Sequence, residues 1–110
     1  MNAMNSMPQQ IRDALAFLQR ALLGRGELLL FGSQAREDPS PGADFDIGIL
    51  GTESLPWLEF AVMKTRAEDL AWPWSIDLVD LHRVPEEFRM MVQRDGIPIT
   101  ELTDGPTSVA

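Results

Sequence analysis

A short apolar run that ends in Gly32-Ser33 and is followed, ten residues later, by Asp44-x-Asp46 constrains the fold most strongly. Residues 28–31 are Leu-Leu-Leu-Phe, which indicates a buried strand, and the glycine after them permits a close approach to the backbone. A strand that leads through Gly-Ser into a helical turn presents free N–H groups and the positive end of the helix dipole to an anion. The pattern therefore predicts a phosphate cradle at Gly32 and Ser33.

The two aspartates that follow are spaced to act together. Asp44 and Asp46 alternate with Phe45 and Ile47, so a strand through them places both carboxylates on one face. Carboxylates at the start of an apolar strand are costly unless they are paired, solvated or bound to a cation, and hard oxygen ligands suit Mg²⁺. The alternatives are a helix N-cap without a ligand at Gly32-Ser33 and a solvated strand start at the aspartates.

The length and composition of the chain limit the classes of function. A chain of 110 residues is large enough for one domain. No apolar run is long enough to span a bilayer, so we expect a cytoplasmic protein without a membrane partner. The absence of cysteine excludes disulfides and thiolate metal sites. The formal net charge of −8 argues against direct binding of nucleic acid, which depends on Lys and Arg, and favours a basic protein partner.

Hydrophobic periodicity and turn residues divide the chain into alternating helices and strands. We predict a flexible leader over residues 1–7, one domain over residues 8–102 and a disordered tail over residues 103–110. The predicted helices cover residues 8–23, 57–71 and 86–94, and the predicted strands cover residues 27–31, 45–50, 75–81 and, at an edge, 97–99. Lys64 is interpreted as part of a solvated helix face. The three tryptophans are interpreted as core or rim packing residues, with stacking on a base or contact with a partner as the alternative.

The connections between these strands bring polar residues to one rim of the sheet. A short connection favours an antiparallel first pair, which places Ser33 beside Asp44. The strand, helix and strand over residues 45–81 are long enough for a parallel crossover, which returns Asp77 to the edge where Asp44 begins. Asp80 is a rival third carboxylate, but it faces the opposite side of the strand, and Asp77 is preferred because it lies near the strand's start.

This combination of residues resembles the nucleotidyltransferase family whose fold is that of DNA polymerase β, in particular its minimal single-domain members. The resemblance rests on Gly32-Ser33, Ala35-Arg36, the spacing to Asp44-x-Asp46 and the later Ile76-Asp77-Leu78, and it covers the chain from residue 28 to about residue 99. It agrees with the fold that the pattern predicts, an α/β (α+β two-layer) domain with a small mixed sheet and helices on one face. Ala43 and Glu37 depart from the family's usual pattern, and Glu37 places a negative charge near the expected polyphosphate site.

The resemblance implies a metal-dependent transfer of a nucleoside monophosphate, AMP from ATP, to a hydroxyl acceptor, with pyrophosphate leaving. It implies two Mg²⁺ ions, for which Mn²⁺ can substitute. The implied catalytic and metal-binding residues are Asp44, Asp46 and Asp77, and the implied nucleotide-binding residues are Gly32, Ser33 and Arg36. Asp77 would hold the cation that activates the acceptor hydroxyl and take the proton of that hydroxyl.

The resemblance also implies a protein partner. Minimal members act as the antitoxin of an all-helical HEPN-type protein, commonly a toxic ribonuclease, which they neutralise by transferring AMP to a side chain or by tight binding. A homo- or hetero-oligomer is then expected. One alternative is a non-catalytic module that masks its partner, against which the intact Ser33, Asp44, Asp46 and Asp77 count. Another is transfer to a small molecule such as an aminoglycoside, with an acceptor pocket supplied by a second subunit.

Overall fold

The computed structural model describes residues 7–32 and 44–99, and every predicted helix and strand is present within these ranges. The elements are α1 (Gln9–Leu22), β1 (Gly26–Phe31), β2 (Phe45–Gly51), α2 (Trp57–Ala71), β3 (Ile76–Asp80), α3 (Glu86–Asp95) and β4 (Ile97–Pro98). No boundary differs from its predicted position by more than one residue. Over the described ranges, each helix is too short or too polar to cross a membrane.

The strands form one mixed sheet in the order β3-β2-β1-β4. Strand β1 is antiparallel to β2 and to β4, whereas β2 and β3 are parallel. The parallel pair is possible because α2 supplies the crossover that such a pair requires. The register places Phe31 opposite Asp46, and Asp46 opposite Asp77. The predicted antiparallel pair, the predicted parallel crossover and the edge position of the proline-containing strand β4 are all confirmed.

Helices α1 and α2 cover one face of the sheet. The apolar stripe of α1 packs with the inward residues of β1, β2 and β3, and α2 adds Phe60, Met63, Ala67 and Ala71. Burial of these apolar side chains is the main favourable contribution to folding. Met7 is also part of this core, at 6% exposure, so the packed part of the chain includes the last residue of the predicted leader.

A smaller apolar cluster lies on the opposite face of the sheet. Side chains alternate along β1, so Leu29 and Phe31 point away from α1 and α2. Helix α3 covers them with Val92, and the ring of Phe88 packs edge-on against Phe31 with 5.7 Å between centroids. The predicted two-layer α/β fold is confirmed for the sheet and the two long helices. The short helix α3 adds a cover on the second face, because Leu29 and Phe31 would otherwise be exposed.

The two aspartates of β3 have different surroundings. Asp80 is buried at 3% exposure, on the face that α1 and α2 cover. Its Oδ2 accepts a hydrogen bond from the backbone N–H of Leu55 at 2.9 Å, and its Oδ1 accepts one from the N–H of His82 at 3.0 Å. The Nε of Arg83 lies 3.7 Å from Oδ2. Asp80 therefore ties the connection before α2 to the connection after β3, whereas the side chain of Asp77 is exposed on the other side of the strand.

We expect Asp80→Asn to lower the free energy of unfolding by about 1–3 kcal/mol, because the amide nitrogen of Asn cannot accept one of the two backbone hydrogen bonds. Urea denaturation measures this loss. The matched control is Asp77→Asn on the same strand, where an exposed side chain changes and the free energy should shift by less than about 0.5 kcal/mol. Equal losses in the two variants would contradict the structural role of Asp80.

Candidate active site

The end of β1 and the starts of β2 and β3 form one rim of the sheet, which carries four of the six predicted site residues. Gly32 follows β1, Asp44 and Asp46 lie at the start of β2, and Asp77 lies near the start of β3. Asp46 and Asp77 are register partners, so the parallel crossover places these two residues side by side. Ser33 and Arg36, the remaining two predicted site residues, lie outside the described residues.

Gly32 and Asp46 are in direct contact. The φ angle of Gly32 is 77°, in the left-handed region that favours glycine. A Cβ atom at this position would lie 2.1 Å from Oδ2 of Asp46, which is closer than any nonbonded contact allows. Only glycine therefore satisfies both the backbone angle and the approach of the carboxylate. The turn that was predicted to cradle a phosphate begins against the carboxylate that was predicted to hold a cation.

The electrostatic surroundings of Asp46 disfavour its negative charge. Partial burial raises the pKa of Asp46 above its ordinary value, and the nearby negative charges of Asp77 and then Asp44 raise this pKa further. Asp44 and Asp77 are themselves exposed to solvent. A cation placed among the three carboxylates would offset the repulsion that they exert on one another.

Asp77 has a cationic neighbour that the sequence did not identify as part of the site. The Nζ of Lys64, on α2, lies 3.6 Å from Oδ1 of Asp77 and 3.3 Å from Oε2 of Glu68. All three side chains are partly exposed, so these ion pairs contribute little to stability. Lys64 and Glu68 are four residues apart on α2, a spacing that indicates an ion pair from the sequence alone. The approach of Lys64 to Asp77 on β3 depends instead on how α2 packs on the sheet.

A cavity of about 380 Å³ adjoins Asp77 at the start of β3. Its walls come from the rim of the sheet, from α2 and from the connection between α2 and β3. The lining residues are Asp44, Lys64, Glu68, Trp72, Trp74, Ser75, Ile76 and Asp77. Trp72 and Trp74 were interpreted from the sequence as packing residues, whereas their exposed fractions are 76% and 42%. Both indoles are therefore available at the surface beside the rim.

The carboxylates of the rim suit a hard cation in chemistry, but they are not gathered around one point. Carboxylate oxygens are the ligands that Mg²⁺ prefers in proteins. Across residues 7–32 and 44–99, no three His, Cys, Asp or Glu side chains lie close enough together to hold a metal ion. Asp77 instead contacts Lys64. The residues that could hold a cation are Asp46, with Asp44 and Asp77 after a rotation of their side chains.

Comparison with protein families and curated proteins supplies a second line of evidence. Residues 27–104 match the family model described as "Polymerase beta, Nucleotidyltransferase". The chain is also similar to the "Probable protein adenylyltransferase MntA" of Haemophilus influenzae, with 28% identity over 71 residues, which are 64% of this chain. The matched region spans 62% of the length of that relative.

Two solved structures share the fold of the chain. One is that of a protein assigned as a minimal nucleotidyltransferase, with a TM-score of 0.65, 23% identity, and coverage of 89% of this chain and 96% of that chain. The other is a chain from the crystal structure of a mutant of the toxin-antitoxin pair MntA-HpeT, with a TM-score of 0.60, 18% identity, and coverage of 84% and 74% respectively. At these identities the likeness shows the fold.

The contact between Gly32 and Asp46 can be isolated with two glycine substitutions. Gly32 and Gly24 have φ angles of 77° and 79°, so an alanine at either position meets a left-handed backbone cost of about 1–2 kcal/mol. A Cβ at Gly24 has no neighbour within 4 Å, whereas one at Gly32 must displace the Asp46 carboxylate. We expect Gly32→Ala to lower the free energy of unfolding by about 1 kcal/mol more than Gly24→Ala does, as measured by thermal or urea denaturation. Equal losses would show that Asp46 moves away freely.

The raised pKa of Asp46 predicts a pH dependence of stability in metal-free protein. At neutral pH the carboxyl is ionised in the unfolded chain, and its charge is disfavoured in the folded chain. As the pH falls through the folded pKa of Asp46 towards its ordinary range, the folded protein binds the proton first and this destabilisation disappears. We therefore expect Asp46→Asn to raise Tm by a few degrees at neutral pH, with the gain shrinking at acidic pH.

Melting curves of the wild type and the variant across pH, recorded with a chelator, measure the difference directly. Asp44→Asn is the matched control, because Asp44 contributes the smallest of the three causes that raise the pKa of Asp46. Its effect on Tm should be smaller and of the same sign. A gain for Asp46→Asn that stays constant down to acidic pH would contradict the electrostatic origin of the effect.

Proposed function

Because the chain belongs to the polymerase beta nucleotidyltransferase family, we propose that it transfers AMP from ATP to a hydroxyl group of a partner protein. The observation that carries this proposal is the register of β2 and β3, which pairs Asp46 with Asp77 beside the left-handed turn at Gly32. Two carboxylates next to a glycine turn suit phosphoryl transfer, since its catalysis is mainly positioning and charge stabilisation.

In the proposed reaction, the acceptor oxygen forms a bond to the α-phosphorus of ATP. The bond from that phosphorus to the oxygen bridging the α- and β-phosphates breaks, and pyrophosphate leaves with the electron pair. Asp77 takes the proton of the acceptor hydroxyl and releases it to solvent. Gly32, together with Ser33 and Arg36, binds the phosphates that leave.

Asp44, Asp46 and Asp77 are the residues proposed to hold divalent cations, with Mg²⁺ as the natural ion and Mn²⁺ as its substitute. When bound, such ions neutralise the charge that develops on the phosphate oxygens. The raised pKa of Asp46 supports the assignment, because the causes of that shift include the two carboxylates that would share the cation. The contact of Asp77 with Lys64 would be exchanged for a contact with the cation.

The proposed partner is an all-helical HEPN-type protein, and the proposed role is that of its antitoxin. The similarity to a protein named as an adenylyltransferase and the fold shared with a toxin-antitoxin chain support this role. The net charge of −8 favours a basic surface on the partner. We propose that the acceptor hydroxyl is presented by the partner itself.

A second candidate function is a non-catalytic module that masks its partner. One observation favours it: the carboxylates in the described part of the chain are not gathered for a metal ion, and Asp77 contacts a lysine instead. The two candidate functions differ in whether neutralisation of the partner requires ATP. Transfer requires ATP and a divalent cation, whereas masking requires neither.

Incubation of the protein with ATP, Mg²⁺ and a HEPN-type protein, where a neighbouring gene encodes one, should add AMP to that partner, detected as a mass increase of the intact protein. We expect Asp77→Asn to slow this transfer by at least about a hundredfold, because loss of a positioned base alone is worth about 10²–10⁴ in rate. Asp46→Asn should abolish the transfer.

The matched control is Asp80→Asn, which changes the other carboxylate of β3 and should leave the rate within a few-fold at temperatures where the variant is folded. Calorimetry provides an independent check, because ATP should bind with Mg²⁺ or Mn²⁺ and lose its affinity in a chelator. An inhibited but unmodified partner would favour masking over transfer. A folded Asp80→Asn that is inactive beside an active Asp77→Asn would exchange the roles of the two residues.

A further inference from the structure

We propose that the cavity beside Asp77 is the acceptor site, which receives a hydroxyl-bearing side chain of the partner protein. Trp72 and Trp74 pack against the apolar atoms around that hydroxyl. This inference rests on the proposed function. The cavity has a volume of about 380 Å³, and Asp77 forms part of its wall. An acceptor side chain in this cavity would therefore meet the carboxylate that takes its proton.

The position of the cavity follows the geometry that an in-line displacement requires. The attacking oxygen and the leaving group lie on opposite sides of the phosphorus. Along the rim, Gly32 follows β1, Asp46 lies on the neighbouring strand β2, and Asp77 lies on β3, at the edge of the sheet. If the leaving phosphates bind at Gly32, the acceptor must approach from the β3 side. The cavity lies on that side.

The lining of the cavity favours apolar contacts with the acceptor. Trp72 and Trp74 are 76% and 42% exposed, although burying an indole is favourable by hydrophobicity. Exposed tryptophans next to a cavity are typical of binding sites, since tryptophan is enriched among the residues that contribute most to protein interfaces. The volume lies near the lower end of the range of about 300–1,000 Å³ for ligand pockets, which fits one or two side chains.

The two indoles, rather than the charges of the cavity, favour a protein acceptor over a polycationic small molecule. Lys64 contacts both Glu68 and Asp77 and so offsets one of the three negative charges in the lining of the cavity. Asp44 and Asp77 are assigned to the divalent cations in the proposed reaction. The two indoles remain for recognition of the acceptor, and the exposed surface of Trp72 extends the contact beyond the cavity. A segment of a folded partner can cover both the cavity and this surface.

Kinetics of AMP transfer to the HEPN-type partner that the proposed function requires test the site. We expect the double variant Trp72→Ala/Trp74→Ala to raise the KM for the partner about tenfold, with the KM for ATP unchanged, because the indoles contact the acceptor only. The matched control is Trp57→Ala, which removes an indole of 64% exposure at the opposite end of α2, about 22 Å away along the helix. Its KM for the partner should stay within about twofold of the wild type.

Photo-crosslinking separates this inference from the proposed function. A p-benzoylphenylalanine at position 74 should crosslink to the partner segment that carries the modified hydroxyl, and one at position 57 should not. Crosslinks at position 57 alone, or an unchanged KM for the partner in the double variant, would overturn the acceptor site while leaving transfer intact. AMP transfer to an aminoglycoside with the same dependence on the two indoles would overturn the choice of a protein acceptor. Absence of transfer in the wild type would overturn the proposed function itself.

Discussion

The register of β2 between its two neighbours is the constraint on which the rest of the structure depends. Phe45, Ile47 and Ile49 face the core under α1 and α2, so a shift of one residue would bury Asp46 and remove all three apolar side chains from that core. Burial stabilises the fold by about 1.5–3 kcal/mol for each large apolar side chain. This stabilisation therefore also fixes the position of the Asp46 carboxylate, which faces the other way. The hydrophobic core and the acidic rim are two sides of the same strand.

Much of this arrangement was predictable from the sequence, because it depends on local periodicity. Alternation along β2 and β3 was enough to separate Asp77 from Asp80 and to place Asp77 beside Asp46, and breaker residues located the ends of the elements. The antiparallel and parallel pairings followed from the lengths of the connections. The roles of Ser33 and Arg36 stay predictions, since both residues lie outside the described part of the chain.

What the sequence did not predict depends on contacts between elements that are distant in the chain. The pair of Lys64 with Asp77 requires α2 to lie along the edge of β3, which no periodicity specifies. The cavity beside Trp72 and Trp74 exists only where α2, its following connection and the rim meet. Strand β1 ends in four successive apolar residues, so it is apolar on both faces. Helix α3 covers the second face, but the apolar run alone does not show which element will cover it.

If Asp46 holds a cation and Gly32 binds a phosphate, as proposed, the contact between the two residues would couple binding events that are usually considered separately. A carboxylate that turns towards a cation leaves the glycine backbone, and an anion that binds at this backbone approaches the same carboxylate. The two proposed ligands would therefore share one carboxylate. By thermodynamic reciprocity, whatever factor the cation contributes to the affinity for phosphate, phosphate contributes to the affinity for the cation. A nucleotide that carries its own divalent ion would fill both places in one step, so the proposed site would favour the complex of the two over either alone.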